Sequence, residues 1–284
     1  MPLQKNEIIA LLQKKHLVCF LGEGFNDAPA LKTAHVGIAV SSASDIAKDA
    51  ADVVLLNPSL TVIIDGVREG RKIFANSMKY LRVTLASNFG NFYALALSSL
   101  FIPYLPMLPI QVLLLNLLSD FPMMSIATDN VDDKELERPR GYKVAELVSI
   151  AVVLGIVSTI FDFAFFGYFQ QFGESVLQTM WFVGSILTEL VAIYSMRTML
   201  PFWRARRPAL GMMLLTFSTA LITISLPFIP MAREFVHLIP AEMRFVLPAL
   251  ALVAGYFVTT EVIKILLYRF WKSKESEGAG MVTT

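Results

Sequence analysis

Hydrophobic and polar positions along the chain fall into two regimes. Up to about residue 79 the apolar residues come as short runs between charged, helix-spaced stretches. Leu17 to Leu21, Val36 to Val40 and Val53 to Leu56 read as buried parallel strands, with helical patterns at 3–14, 27–34 and 43–51 between them. From Gly66 to Lys79 the charges Arg68, Glu69, Arg71, Lys72 and Lys79 keep a helical period that runs unbroken into an apolar stretch, as a stalk entering a membrane would. Six apolar stretches follow, at 80–101, 110–128, 147–169, 179–196, 209–229 and 245–267, each near the ~20 residues that cross ~30 Å of hydrocarbon. The expected fold is a bundle of six transmembrane helices behind a small N-terminal α/β part. By residue, 1–65 are α/β, 66–79 the stalk, 80–271 the membrane domain and 272–284 a disordered tail.

Composition supports the membrane reading. Of 284 residues 55% are hydrophobic and 17% charged, and the mean hydropathy of +0.60 excludes an ordinary soluble enzyme. A formal charge of +1 gives no electrostatic case for nucleic acid, and the single Cys19 makes no internal disulfide. Lys5, Glu7, Lys14, Lys15 and His16 interrupt any signal-peptide core. Arg and Lys gather in the loops 129–146 and 197–208 and in the tail, while 102–109 and 170–178 have none. The positive-inside rule therefore puts both termini in the cytoplasm of a multi-pass protein, expected in the plasma (inner) membrane.

Two places carry candidate chemistry. Gly22-Glu23-Gly24-Phe25-Asn26-Asp27-Ala28-Pro29-Ala30-Leu31 follows an apolar strand and opens a helix, at the carboxyl end of a parallel strand where open α/β sheets place ligands. Glu23, Asn26 and Asp27 there offer oxygen ligands to a hard cation such as Mg²⁺; a glycine turn with Asp27 as helix N-cap fits the spacing equally well. In the membrane part, Asn88 and Asn91 share a helix face, as do Asn116 and Asp120. Pro122 is expected to open the helix just after Asp120 and free backbone oxygens, and a mid-span carboxylate costs ~3 kcal/mol on insertion scales. That pattern suits ion coordination, although asparagines also hold helices together in lipid. Glu189 and Asp162 are further acids within spans. Glu189 is a candidate for the same path, Asp162 for a helix-to-helix hydrogen bond, and Glu261 for a pair with Lys264.

The glycine-rich run resembles the G-D-G-x-N-D-x-P-A-L signature of P-type cation-transporting ATPases. The likeness continues through Val36-Gly37-Ile38-Ala39 and Asp45 to Leu56. Ser87-Asn88-Phe89-Gly90-Asn91, Leu105-Pro106-Met107-Leu108-Pro109 and Asp129-Asn130-Val131-Asp132 are similar to the magnesium-transporting branch. The resemblance implies that residues 2–65 end a haloacid-dehalogenase-like phosphorylation domain, in which Glu23, Asn26 and Asp27 are catalytic and Glu23 and Asp27 bind Mg²⁺. It also implies that Asn88, Asn91, Asn116 and Asp120 bind the transported ion. Two positions depart from the pattern: Glu23 stands where the family has Asp, and His35 where Asp is usual.

The family's phosphorylated aspartate lies in an Asp-Lys-Thr-Gly-Thr string that these 284 residues do not contain. The expectation is therefore a C-terminal portion of an ATP-driven, Mg²⁺-type transporter that does not hydrolyse ATP alone. ATP would come into play only through a separate chain carrying the N-terminal half of a pump. The other partners expected are the lipid bilayer and a divalent cation. The competing expectation is a non-enzymatic remnant acting as a passive ion pathway or as a regulator of an intact pump.

Overall fold

A computed structural model describes residues 2–281 apart from 58, 138, 140, 142 and 143, with the side chains of 2, 3 and 272–281 also left aside. Arg138, Arg140, Lys143 and the side chains of the expected tail thus lie outside the described residues. The chain divides into two compact units, Met1–Gly70 and Arg71–Thr284.

In the first unit the order is α1 (Pro2–Gln13), β1 (Cys19–Gly22), α2 (Ala28–Thr33), β2 (Val36–Val40), α3 (Asp45–Ala50) and β3 (Val53–Leu55). The three strands are parallel in the order β1-β2-β3, with Cys19 opposite Val36 and Ile38 opposite Val53. Small residues on α3 and the loop before it let the chain sit close to the sheet, and Leu31, Ala39, Val40, Ala43, Ala47 and Ala50 form the core. Ser44 starts α3 by accepting a hydrogen bond from the Ala47 N–H at 3.3 Å. The pattern suggested three buried strands, but only β2 is buried, and that from Gly37 to Val40; β1 and β3 leave most residues at least partly exposed. Each of these is an edge strand with one neighbour, which an apolar run cannot reveal by itself.

The helix α4 (Leu60–Ser98) carries the chain onward, followed by α5 (Pro109–Met124), the single turn α6 (Asp133–Leu136), α7 (Val144–Phe169), α8 (Glu174–Met196), α9 (Leu210–Ser225), α10 (Pro230–Val236) and α11 (Met243–Met281). Five segments are long and apolar enough to cross a membrane: Pro109–Thr128, Val144–Phe172, Glu174–Met196, Leu210–Phe228 and Met243–Trp271. The sixth expected stretch, 80–101, is helical to Ser98, but Arg82, Asn88 and Asn91 dilute its apolar character. A second expectation fails at Pro122. Rather than opening after Asp120, α5 runs through the proline to Met124. Proline removes one backbone hydrogen bond, and a helix held by its neighbours tolerates that loss.

In this unit α8 is the axis. It packs against α5, α7, α9 and α11, and it is buried along most of its length. Its polar side chains therefore seek partners on other elements: Gln178 donates to the Leu105 carbonyl at 2.8 Å, and the Thr179 hydroxyl accepts from the Ile239 N–H at 3.0 Å. Close approach of α4 and α7 depends on Gly90, where an added Cβ would lie 2.6 Å from the Ser158 Cβ and 2.7 Å from its Oγ. Gly90→Ala is expected to destabilise this unit by about 1–3 kcal/mol, the usual cost of overpacking. Thermal unfolding in detergent reads the effect, and an unchanged midpoint would mean that the two helices separate freely.

Candidate functional site

The loop after β1 is organised by Asp27. Its Oδ2 accepts from the backbone N–H groups of Glu23 (3.1 Å) and Gly24 (3.2 Å), and its Oδ1 accepts from Lys5 Nζ at 2.6 Å. Asp27 occupies the N-cap position of α2, yet its side chain makes no cap hydrogen bond; it closes the loop instead. The hydrogen bond from Lys5 lowers the Asp27 carboxyl below its ordinary value; burial works against this, and the two backbone donors add to it. Lys5, on α1, was not among the expected site residues. Its distance from Asp27 along the sequence hides the pairing, because only the folded α1 brings the ammonium over the loop. Glu23 and Asn26 are exposed beside it. Glu23 and Asn26 present exposed side-chain oxygens of the kind a hard cation such as Mg²⁺ takes, while both oxygens of Asp27 are already engaged, one of them by the Lys5 ammonium.

At membrane depth, Asn91 Nδ2 donates to Glu189 Oε1 at 2.7 Å, joining α4 to α8. Glu189 is buried at 6% exposure, next to the Ser119 hydroxyl and within electrostatic reach of Asp120, both on α5. The structure thus brings Asn91, Glu189 and Asp120 into one neighbourhood, and it leaves Asn88, Asn116 and Asp120 on exposed positions of α4 and α5. Asp162 receives the Trp181 Nε1–H at 2.8 Å, the helix-to-helix bond that its position suggested. Lys264 Nζ lies 2.8 Å from both oxygens of Glu261, also as expected. This pair is buried rather than solvated, and it ties α11 to the carbonyls of Ser195 and Leu200.

Local spacing gave no sign of a third cluster, at the loops following α5 and α8. Asp129 is fully buried; its Oδ2 accepts from Lys79 Nζ (3.0 Å) and Arg197 Nε (2.9 Å), and its Oδ1 from Arg197 Nη2 (3.0 Å) and the Ala209 N–H (3.0 Å). Asn76 donates to the Asp129 carbonyl at 2.8 Å and Arg71 to the Leu136 carbonyl at 2.8 Å, so the lower turns of the second unit's α4 grip this loop. Asp132 accepts from the Thr198 hydroxyl at 2.6 Å and from the Arg206 N–H at 2.7 Å. Among the described residues no three His, Cys, Asp or Glu side chains gather as a ready metal site.

Helices of this length and apolarity, with an acid and an amide hydrogen-bonded between them, define a polytopic membrane protein with polar chemistry inside its bundle. The chain belongs to the cation-transporting ATPases: the family profile described as "Cation transporting ATPase, C-terminus" matches residues 104–266. Two relatives named magnesium-transporting ATPase, P-type 1, from Salmonella typhimurium strain LT2 and Escherichia coli K12, are each 37% identical over 272 residues. Those alignments cover 93% of this chain and 30% of the relative. A Bacillus subtilis protein named calcium-transporting ATPase is 32% identical over 212 residues, 69% of this chain and 23% of its own length. The chain therefore spans less than a third of the length of these curated relatives and corresponds to their C-terminal, membrane-containing portion.

Proposed function

We propose that this chain supplies the ion-binding membrane helices of an ATP-driven pump for a divalent cation, magnesium in the first place. The observation that carries the reading is the Asn91 to Glu189 hydrogen bond, with Asp120 nearby. Of Asn88, Asn91, Asn116 and Asp120, the positions that the family resemblance assigns to the ion, Asn91 and Asp120 have this carboxyl from α8 as a neighbour, and Asn88 and Asn116 are proposed to reach the ion from exposed positions on the same helices. Two carboxyls and several neutral oxygens form a sparse set for an ion that gives up water reluctantly, so the cation is proposed to stay partly hydrated. The names of the relatives support magnesium, and the calcium-transporting one marks calcium as the competitor to test.

Glu23, Asn26 and Asp27 are proposed to take part in the phosphoryl-transfer site, with Glu23 and Asp27 holding its Mg²⁺ and Lys5 orienting Asp27. Covalent phosphoryl transfer also needs a nucleophilic carboxylate. The Asp-Lys-Thr-Gly-Thr string that would supply it is outside this sequence, so ATP hydrolysis is proposed to require that segment as well.

Asp120→Asn tests the membrane site. In nanodiscs the substitution should weaken Mg²⁺ binding by at least about tenfold, since even outer-shell partners of a metal contribute that much. An unchanged affinity would remove Asp120 from the site, and a stronger preference for Ca²⁺ over Mg²⁺ in the unsubstituted chain would reassign the cargo.

A further inference from the structure

One acid in the bundle interior lies outside the proposed ion path. Asp162 on α7 is 5% exposed. Its Oδ1 holds the Trp181 N–H, while its Oδ2 is buried with no hydrogen-bond partner. Trp181 is itself buried, at 1% exposure, and the Phe166 ring packs on it edge to face at 4.6 Å between centroids. Among the described residues no Lys or Arg is ion-paired with Asp162.

Three helices present polar side chains one turn apart at this place: Ser158 and Asp162 on α7, Trp181 and Ser185 on α8, and Tyr256 and Thr260 on α11. The Tyr256 hydroxyl lies beside Ser158 and Thr260 and within electrostatic reach of Asp162. Ser185 Oγ and Thr260 Oγ1 are, like Asp162 Oδ2, buried without a partner. Orphaned buried polar atoms are rare in native interiors, and when several converge they are satisfied by internal water.

The surroundings also decide the charge. The titratable groups acting on Asp162 are Glu189 from α8 and Tyr256 from α11, and neither α4, which meets α7 at Gly90, nor the turn Gln170–Phe172 that packs on α7 adds one. Glu189 lies two helical turns beyond Trp181, ~12 Å along α8. An ionised Asp162 would thus face one neutral donor, a second acid and no cation. Keeping a proton at neutral pH, against a solution value of about 4, costs a population factor of roughly 10³. A bare carboxylate in a dry interior is disfavoured by a larger factor.

We propose that the junction of α7, α8 and α11 is an internal proton-binding site, in which Asp162 holds the proton as a carboxylic acid and the hydroxyls of Ser185, Tyr256 and Thr260 hold the water that solvates it. Loading adds one proton from water to Asp162 Oδ2 and release returns it; no other bond forms or breaks. The site is distinct from the Asn91 to Glu189 pair and does not depend on which cation is carried. Infrared spectroscopy of the chain in lipid nanodiscs tests it. In a Glu189→Gln background, which removes the other buried acid that faces no cation, the carbonyl band of a protonated carboxylic acid should be present at neutral pH, should shift in D₂O, and should be lost when Asp162→Asn is added. In the same background Trp181→Phe, which removes the one donor to the Asp162 carbonyl, should keep the band and move it to higher frequency. Absence of the band in the Glu189→Gln background, its persistence unchanged when Asp162→Asn is added, or an unmoved band with Trp181→Phe would overturn the proposal.

Discussion

Asp129→Asn is expected to destabilise the second unit by about 3–5 kcal/mol, because it leaves two buried cations, Lys79 and Arg197, without their shared counter-charge. Both cations are almost fully buried, at 1% and 4% side-chain exposure, so water cannot replace the carboxylate. The introduced amide would also point an N–H group at one of the donors that Asp129 now accepts from. Asp133 provides the comparison. It pairs with Arg206 at 3.0 Å, but both side chains are exposed, and Asp133→Asn should change stability by less than about 1 kcal/mol. The pH dependence follows with a definite sign. Burial pushes the Asp129 carboxyl up, yet the hydrogen bonds from Arg197 and the charge of Lys79 outweigh burial and hold it below its ordinary value. The stability so contributed is complete above the unfolded-chain value of about 4 and is lost as the pH falls through the lower folded value. Thermal unfolding between neutral pH and pH 3 should show this loss in the unsubstituted chain and a flatter profile in Asp129→Asn. Equal stabilities for the two proteins at neutral pH would mean that the cluster is not a clamp.

Most elements of the fold could be read from periodicity, because each is decided by residues close together in sequence. The five apolar helices and the three strands lie within a few residues of where the pattern places them. The failures share a cause. Which strands are edges, whether α5 survives Pro122, and what Lys79 and Arg197 do are all decided by neighbours distant in the chain. Asp129 shows the problem most plainly: its partners come from α4 and from the far ends of α8 and the loop before α9, and no spacing rule links them. The candidate ion site was half legible. Asn88, Asn91, Asn116 and Asp120 announce themselves as same-face pairs in apolar helices, whereas Glu189 could only be named as an acid in a later span until the packing of α8 against α4 and α5 put it beside Asn91 and Asp120.

The second large effect is expected at Glu189. Its carboxyl is the buried acid of the neighbourhood and the one held in place by a hydrogen bond from α4, so it should contribute more to a bound cation than the exposed Asp120. Glu189→Gln preserves size and can still accept from Asn91, but it removes the charge that compensates a dication for lost water. A loss of about 100-fold in affinity is expected, at the upper end of what single groups around a metal contribute. Glu261→Gln is the matched control. It also removes a buried acid from a membrane helix, but one already committed to Lys264, the Ser195 hydroxyl and the Phe202 N–H; because it leaves the buried Lys264 without its counter-charge it is expected to lower stability, so its affinity is read on the folded fraction. The decisive measurement is a Mg²⁺ titration of the chain in lipid nanodiscs, comparing the unsubstituted protein with Glu189→Gln and Glu261→Gln. Saturable binding that weakens about 100-fold in Glu189→Gln and stays unchanged in Glu261→Gln is the predicted result. No saturable binding at all, or the same affinity in the unsubstituted chain and Glu189→Gln, would contradict the claim that this bundle carries the ion site.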